Sequence, residues 1–244
     1  MKINPFLLLY QYLIVAPIVL VLTILTALLT IVFSPMFPNS RFANYPAKLW
    51  SQLICHLLFI RVKVIGLENC NPQKSYVFVS NHQSIFDIFV LYGWLPNLFK
   101  WIMKMELKKI PLVGQACESA GHIFIDRANP MAAQKSLEKA ESKLVKGVSV
   151  VVFPEGTRTK TGQMNKFKRG AFRIAADLSL PILPVSIKGS FERIPKKAYY
   201  IQPGTIEVVL HKPIDIQTFE QEKTAELIQH TWEIIRQGIG EIND

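Results

Sequence analysis

The sequence predicts an α/β domain, a mixed and largely parallel sheet flanked by helices, behind an N-terminal membrane-embedded helical segment. Three observations predict it. The length of 244 residues accommodates one domain and an appendage. No charged residue occurs from Ile3 to Ser40, whereas charges are frequent beyond residue 60. From there on, apolar runs of strand length alternate with stretches of helical period, the pattern of a layered α/β fold.

The apolar core of the first segment, Phe6–Phe33, would measure about 42 Å as a straight helix, against roughly 30 Å for a bilayer core. Pro17 divides it, because proline lacks an N–H and collides with the preceding turn. The halves Phe6–Ala16 and Ile18–Phe33 then reach roughly 17 and 24 Å. A kinked span and a segment dipping into one leaflet are both open. Pro35 and Pro38 end the run. Pro46–Ile60 follows, with Leu49, Trp50, Leu53, Ile54, Leu57 and Leu58 on one side and Lys48, Gln52 and His56 on the other. This is an amphipathic helix, suited to a membrane interface or to covering a core. The apolar run is about twice a signal-peptide core in length, and Val32–Phe33–Ser34–Pro35 is a poor cleavage site. A retained anchor is expected over residues 1–60, with a domain over 61–244. Arg41, Lys48, Arg61 and Lys63 follow the run, so positive-inside bias places that domain in the cytoplasm.

Arg61–Gly66 alternates like a strand, and Leu67–Ser75 is an Asn-rich loop. Tyr76–Ser80 is a strand and Ser84–Trp94 a helix. Phe99–Met103 is a strand, Met105–Ile110 a short helix stopped by Pro111, and His122–Asp126 a strand. Asn129 and Pro130 open a helix that Gly147 closes. Val148–Phe153 is the most apolar strand. The loop Pro154–Arg169 is polar and basic. Gly170–Leu178 is a helix, Leu183–Ile187 and Thr205–Leu210 are strands, and Phe219–Ile239 is a terminal amphipathic helix.

Lys and Arg number 28 against 18 acids, a net charge of +10. Three cations and no acid lie in residues 1–60, and residues 215–244 hold seven acids and two bases, so residues 61–214 carry +12. A basic domain on a membrane anchor suits anionic lipid, phosphate-bearing substrates or an acidic protein. Nucleic acid fits the charge, but no helix-turn-helix, zinc-finger or RNP-like pattern occurs. Cys55, Cys70 and Cys117 have neither disulfide-framework nor zinc spacing, and read as reduced thiols. No G-x-S-x-G, P-loop or G-x-G-x-x-G motif is present, which removes the commonest hydrolase, NTPase and dinucleotide readings.

Polar residues at strand ends remain. In Asn81–His82–Gln83–Ser84–Ile85–Phe86–Asp87, His82 precedes a helix whose first turn holds Asp87. An Asp on one ring nitrogen leaves the other as an acceptor and stabilises the imidazolium, which suits a general base. Ser84-x-x-Asp87 is also a capping-box pattern, so Asp87 could serve the helix start alone. Gly121–His122–Ile123–Phe124–Ile125–Asp126–Arg127 is a strand with an ion-pair-capable end. Phe153–Pro154–Glu155–Gly156–Thr157–Arg158 is a turn in which Arg158 can fork a phosphate. Lys166–Arg169 lies at a helix start, where charge and dipole both favour an anion. Each has a bland reading as a strand end, turn or solvated charge cluster.

Together, Asn-His-x(4)-Asp, Phe-Ile-Asp-Arg, Phe-Pro-Glu-Gly-Thr-Arg and the Pro-containing strand at Leu183–Pro184–Val185 resemble the glycerolipid acyltransferases, over about Tyr76 to Ile187. Within them the sequence is most similar to the bacterial 1-acylglycerol-3-phosphate acyltransferases. The resemblance implies a transferase moving an acyl chain from acyl-CoA or acyl-acyl carrier protein to the sn-2 hydroxyl of lysophosphatidate, giving phosphatidate for phospholipid synthesis. It implies His82 as general base, Asp87 orienting it, and direct attack on the thioester. Arg127 and Arg158 would hold the phosphate, Glu155 would order the loop, Gly156 and Thr157 would belong to the binding turn, and backbone near Gly156 or Lys104 would meet the oxyanion. No metal or redox cofactor is called for. Another acceptor, such as glycerol 3-phosphate, another lysophospholipid or a lyso-ornithine lipid, is open. So is a non-enzymatic module that binds anionic lipid.

Overall fold

The structure, a computed structural model, describes residues 4–126, 136, 147–194, 200–216 and 224–241. The first element is one long helix, α1, Pro5–Met36. Asn4 caps it, accepting from the N–H groups of Phe6 and Leu7 (3.0 and 3.3 Å). The helix does not break at Pro17. It passes through a π-helical turn, Gln11–Val15, just before the proline. The wider turn absorbs the lost hydrogen bond and the clash of the ring with the preceding turn. The unbroken helix is about 48 Å long, uncharged and predominantly apolar, so by length and composition it can cross a bilayer. Pro35 lies in its last turn, and the helix ends one residue later.

α2, Arg41–Leu57, starts earlier than its sequence suggests. Ser40 caps it by accepting from the Phe42 N–H (3.1 Å), and Pro46 lies inside. Its buried face, with Ile54 and Cys55, joins the core of the sheet. Phe42, Tyr45, Leu49 and Leu53 stay exposed. Trp50 Nε1 donates to Thr23 Oγ1 (3.0 Å), tying α2 to α1.

Among the described residues seven strands follow: β1 Ile60–Ile65, β2 Val77–Ser80, β3 Leu98–Lys104, β4 Ile123–Ile125, β5 Val148–Val152, β6 Ile182–Lys188 and β7 Gly204–Leu210. They form one sheet in the order β1-β7-β6-β2-β5-β3-β4. Every neighbouring pair is parallel except β6 and β7. The mixed, largely parallel sheet is the expected one. Its central strands are buried on both faces and read as apolar runs for that reason.

The remaining helices are α3 Phe86–Trp94, α4 Val113–Ser119, α5 Gly170–Asp177 and α6 Thr224–Ile239. Alternating side chains sort the core into two layers. Phe78 and Val151 pack with Ile54, Phe86 and Leu91, under α2 and α3. Val77, Val79, Val150 and Val152 pack with Phe172, Ala175 and Ile235, under α5 and α6. The stretch expected as a helix at Met105–Ile110 is a 3-10 turn, Met105–Lys109. The helix of this region is α4, only seven residues long. It packs so closely on that turn that a Cβ at Gly114 would collide with the Lys108 carbonyl. The helix expected between Asn129 and Gly147 lies outside the described residues.

Candidate active site

β2 and β5 are parallel neighbours in the register Val79↔Val152. The chain therefore leaves both at the same edge of the sheet, and residues 82 and 155 each stand three positions past that pair. Asn81 fixes the end of β2 to β6: its amide donates to the Ile187 carbonyl and its Oδ1 accepts from the Ile187 N–H, both at 2.8 Å. The next residue, His82, donates its backbone N–H to Glu155 Oε1 at 2.6 Å.

The His82 ring turns to α3. Its Nδ1 lies 2.8 Å from Asp87 Oδ2. The same oxygen accepts the backbone N–H groups of Gln83 (2.6 Å) and Ser84 (2.8 Å). Capping and imidazole pairing, the two readings left open above, are both realised by one carboxylate oxygen. Asp87 is fully buried, while the His82 side chain keeps 14% of its surface. A carboxylate beside Nδ1 assigns the proton to that nitrogen. Nε2 is then the basic end, and it makes no hydrogen bond to any described residue. The ring lies flat on Phe153, with centroids 3.9 Å apart and planes at 9°.

Glu155 is buried and clamps the loop after β5. Its Oε2 accepts from both the backbone and the side chain of Asn165 (2.9 and 2.8 Å). Burial pushes its pKa above the ordinary carboxylate value, opposed by these hydrogen bonds and the one from His82. The loop also grips the histidine segment directly. The Thr159 N–H donates to the His82 carbonyl (3.0 Å), and Gln83 Nε2 donates to the Gly162 carbonyl (2.8 Å).

Arg158 is exposed and lines an open cleft of about 500 Å³ together with Gln83, Ser84, Lys160 and Phe191. On the other side of Ile85 lies an apolar cavity of about 470 Å³, between α1, α2 and α3. Gln11, in the π turn, pins α1 there through a pair of hydrogen bonds to the Ile201 backbone (2.6 and 2.8 Å).

The structure thus brings together His82, Asp87, Glu155, Gly156, Thr157 and Arg158. The Gly156 N–H donates to the Phe153 carbonyl (3.0 Å) and closes the turn, with φ at +78°. The next two N–H groups, of Thr157 and Arg158, make no hydrogen bond to described residues. Lys104 ends β3, three residues past Trp101, which pairs with Val151. It is exposed at the same sheet edge, and no hydrogen bond or ion pair among the described residues joins it to the histidine motif. Arg127 lies outside the described residues. His122 is buried away from the cleft. Its Nδ1 accepts from the Trp101 N–H (3.3 Å) and its Nε2 meets the Tyr92 hydroxyl (3.2 Å). Burial and then nearby Lys100 lower its pKa to about 3. Among the described residues, no three His, Cys, Asp or Glu side chains gather as metal ligands would. Asn81 and Phe153 stand in the quoted motifs but received no role from the sequence, and Asn165 lies inside the polar loop with no signal of its own.

The acyltransferase family model matches residues 61–188. The chain is 34% identical to the chloroplastic 1-acyl-sn-glycerol-3-phosphate acyltransferase LPAT1 of Arabidopsis thaliana, over 82% of this chain and 55% of that one. It is 37% identical to the 1-acyl-sn-glycerol-3-phosphate acyltransferase of Pseudomonas aeruginosa, over 75% and 71%. The chain spans about half the length of the chloroplastic relatives it matches. The crystal structure of the 1-acyl-sn-glycerophosphate acyltransferase PlsC of Thermotoga maritima superposes with a TM-score of 0.77 at 30% identity, covering 98% of this chain and 95% of that one.

Proposed function

This chain belongs to the acyltransferase family, and from that premise we propose that it acylates the sn-2 hydroxyl of 1-acyl-glycerol 3-phosphate, giving phosphatidic acid. The observation that carries the reading is the His82–Asp87 pair, directly before Gln83 and Ser84, which line a cleft together with Arg158. The names of the relatives support the acceptor.

In the proposed reaction the acceptor hydroxyl gives its proton to Nε2 of His82 as its oxygen attacks the thioester carbonyl. Asp87, on the opposite nitrogen, stabilises the imidazolium that forms. The tetrahedral oxyanion takes hydrogen bonds from the N–H groups of Thr157 and Arg158, the donors left open in the turn that Gly156 closes. The intermediate collapses, the C–S bond breaks, and the imidazolium returns its proton to the departing thiolate of CoA or acyl carrier protein. The Arg158 guanidinium, and Arg127 with it, holds the acceptor phosphate. Glu155 keeps the loop in place, and Lys104 adds positive charge at the same edge. None of these steps calls on a metal or redox cofactor. The apolar cavity beyond Ile85 has the size and lining for an acyl chain. α1 anchors the domain at the cytoplasmic face of the inner membrane, where the hydroxyl of a lysolipid lies near the headgroup plane.

The test is to incubate purified protein with lysophosphatidate and either acyl-CoA or acyl-acyl carrier protein, and to look for phosphatidate. His82→Ala should lose kcat by a factor on the order of 10³ while remaining folded. A panel of glycerol 3-phosphate and other lysophospholipids identifies the acceptor. Liposome binding with no turnover on any acceptor would refute the enzymatic reading.

A further inference from the structure

Phe153 is the side chain nearest the His82 ring to which the proposed chemistry gives no task. Its phenyl covers one face of the imidazole at 3.9 Å and 9°. Trp101 in turn stacks on Phe153 at 5.7 Å and 24°. Trp101 is buried on β3, and its backbone is bonded to His122. The phenyl is thus held between the imidazole and a second ring that the sheet fixes. Phe153 also stands two residues before Glu155, which holds the His82 backbone. The end of β5 therefore grips the histidine twice, by its main chain and by its ring.

We propose that Phe153 is a positioning residue for acyl transfer, holding the His82 imidazole in its reactive plane and favouring the imidazolium formed during the reaction. The inference rests on His82 acting as the general base. Asp87 fixes only Nδ1, and a ring held at one nitrogen can still swing about that contact. A flat wall against its face removes the swing and keeps Nε2 aimed away from α3. The second effect is electrostatic. An aromatic face carries negative quadrupole potential, and a cation within about 6 Å of its centroid is attracted to it. Neutral imidazole gains only dispersion there, while imidazolium gains the cation–π term as well. The stack therefore stabilises the state reached as the proton moves to Nε2. An aliphatic side chain of similar size would fill the space without this preference.

The charged groups bearing on the ring are Asp87 from α3 and Glu155 from the loop after β5, with Arg158 and Lys160 lining the adjoining cleft. A substitution at residue 153 leaves all four of these charges present, so a changed pH response reports on the stack. The experiment uses the full chain in detergent micelles, with lysophosphatidate and acyl-CoA. Phe153→Leu should lower kcat about 10-fold with KM within about twofold, and move the acidic limb of the kcat/KM profile to lower pH by roughly half a unit. Phe153→Tyr should restore kcat to within about threefold of wild type. Pentafluorophenylalanine at position 153 keeps the ring's shape but reverses its quadrupole, so it should move the limb at least as far as Leu does.

Wild-type kcat and pH profile in Phe153→Leu would overturn the inference. If that variant does not fold, the fluorinated ring decides alone, and an unmoved limb there refutes the electrostatic role. An active His82→Ala would overturn the general-base reading itself. An inactive His82→Ala beside unaffected Phe153 variants overturns this inference only.

Discussion

Replacing Asp87 separates the two tasks that its Oδ2 performs. That oxygen accepts from the His82 ring and from the N–H groups of Gln83 and Ser84. Asp87→Asn keeps an acceptor oxygen for all three donors. It places an NH₂ where Oδ1 now lies without a partner among the described residues. Stability should change by no more than about 1 kcal/mol, since the cap survives. In the proposed mechanism the negative charge that stabilises the imidazolium is then gone, and kcat should fall by about 10²–10⁴-fold, the range for general acid–base catalysis. Asp87→Ala should lose comparable activity and also leave two backbone donors buried. At about 1–3 kcal/mol each, less the relief of no longer burying a carboxylate, this amounts to about 3 kcal/mol. The melting temperature of a chain of this size should then drop on the order of 10 °C. Steady-state phosphatidate formation and thermal unfolding by circular dichroism measure the two effects. An Asp87→Asn enzyme within about threefold of wild-type kcat would reduce Asp87 to a helix cap. An Asp87→Ala protein melting with the wild type would refute the cap.

Arg158→Ala should raise KM for the phosphate-bearing acceptor about 10-fold with kcat little changed, if the guanidinium binds ground and transition states alike; varying acceptor and donor separately in steady-state kinetics shows whether the rise is confined to the acceptor. Glu155→Gln turns one accepting oxygen into a donor that faces either the His82 N–H or the Asn165 pair, at a cost of about 1–3 kcal/mol. It should lower kcat and speed tryptic cleavage after Arg158 and Lys160. His122, held neutral down to about pH 3 in the fold against about 6.5 unfolded, makes the native state bind fewer protons than the unfolded chain in that window. Its contribution is complete above pH 6.5 and is lost as pH falls, to a total of roughly 5 kcal/mol near pH 3. Melting curves from pH 7.5 to 4 should therefore fall more steeply for wild type than for His122→Gln.

The layered fold was legible because its signals are local. The central strands are apolar runs, and α3, α5 and α6 show helical period or a clear helix start. For α1 the sequence leaves a kinked span and a dip into one leaflet both open, because Pro17 is a strong breaker by itself. The π turn that spares the helix opens with Gln11, whose partner is the Ile201 backbone 190 residues away. α4 went unread because seven residues containing a glycine carry no usable period, and only its contact with the 105–109 turn explains Gly114. The antiparallel β6–β7 pair has no signature in either strand, since pairing direction is a property of the whole sheet. At the site, His82 and Asp87 were legible because their partnership is five residues long. Asn81, Phe153 and Asn165 act across strands, so their tasks follow from register rather than from spacing.

Register also explains why the site lies where it does. After β2 the chain turns to α3, which packs in the layer of Phe78 and Leu91. After β5 it turns to α5, which packs in the layer of Val150 and Phe172 on the opposite face. Two adjacent parallel strands whose connections leave to opposite faces must open a crevice between their C-terminal ends, where ligands bind in open α/β sheets. The β2 side of that crevice carries His82, the proposed base, and the β5 side carries the loop with Glu155 and Arg158. Neither loop is held by its own strand alone: Glu155 reaches across to His82, and Thr159 and Gln83 close the contact from both sides. Moving one strand by a single residue would turn His82 to the other face and break all three links at once. The short hydrophobic strands at the centre of the sheet, which contribute no side chain to the His82–Asp87 pair, therefore set the geometry of the proposed site.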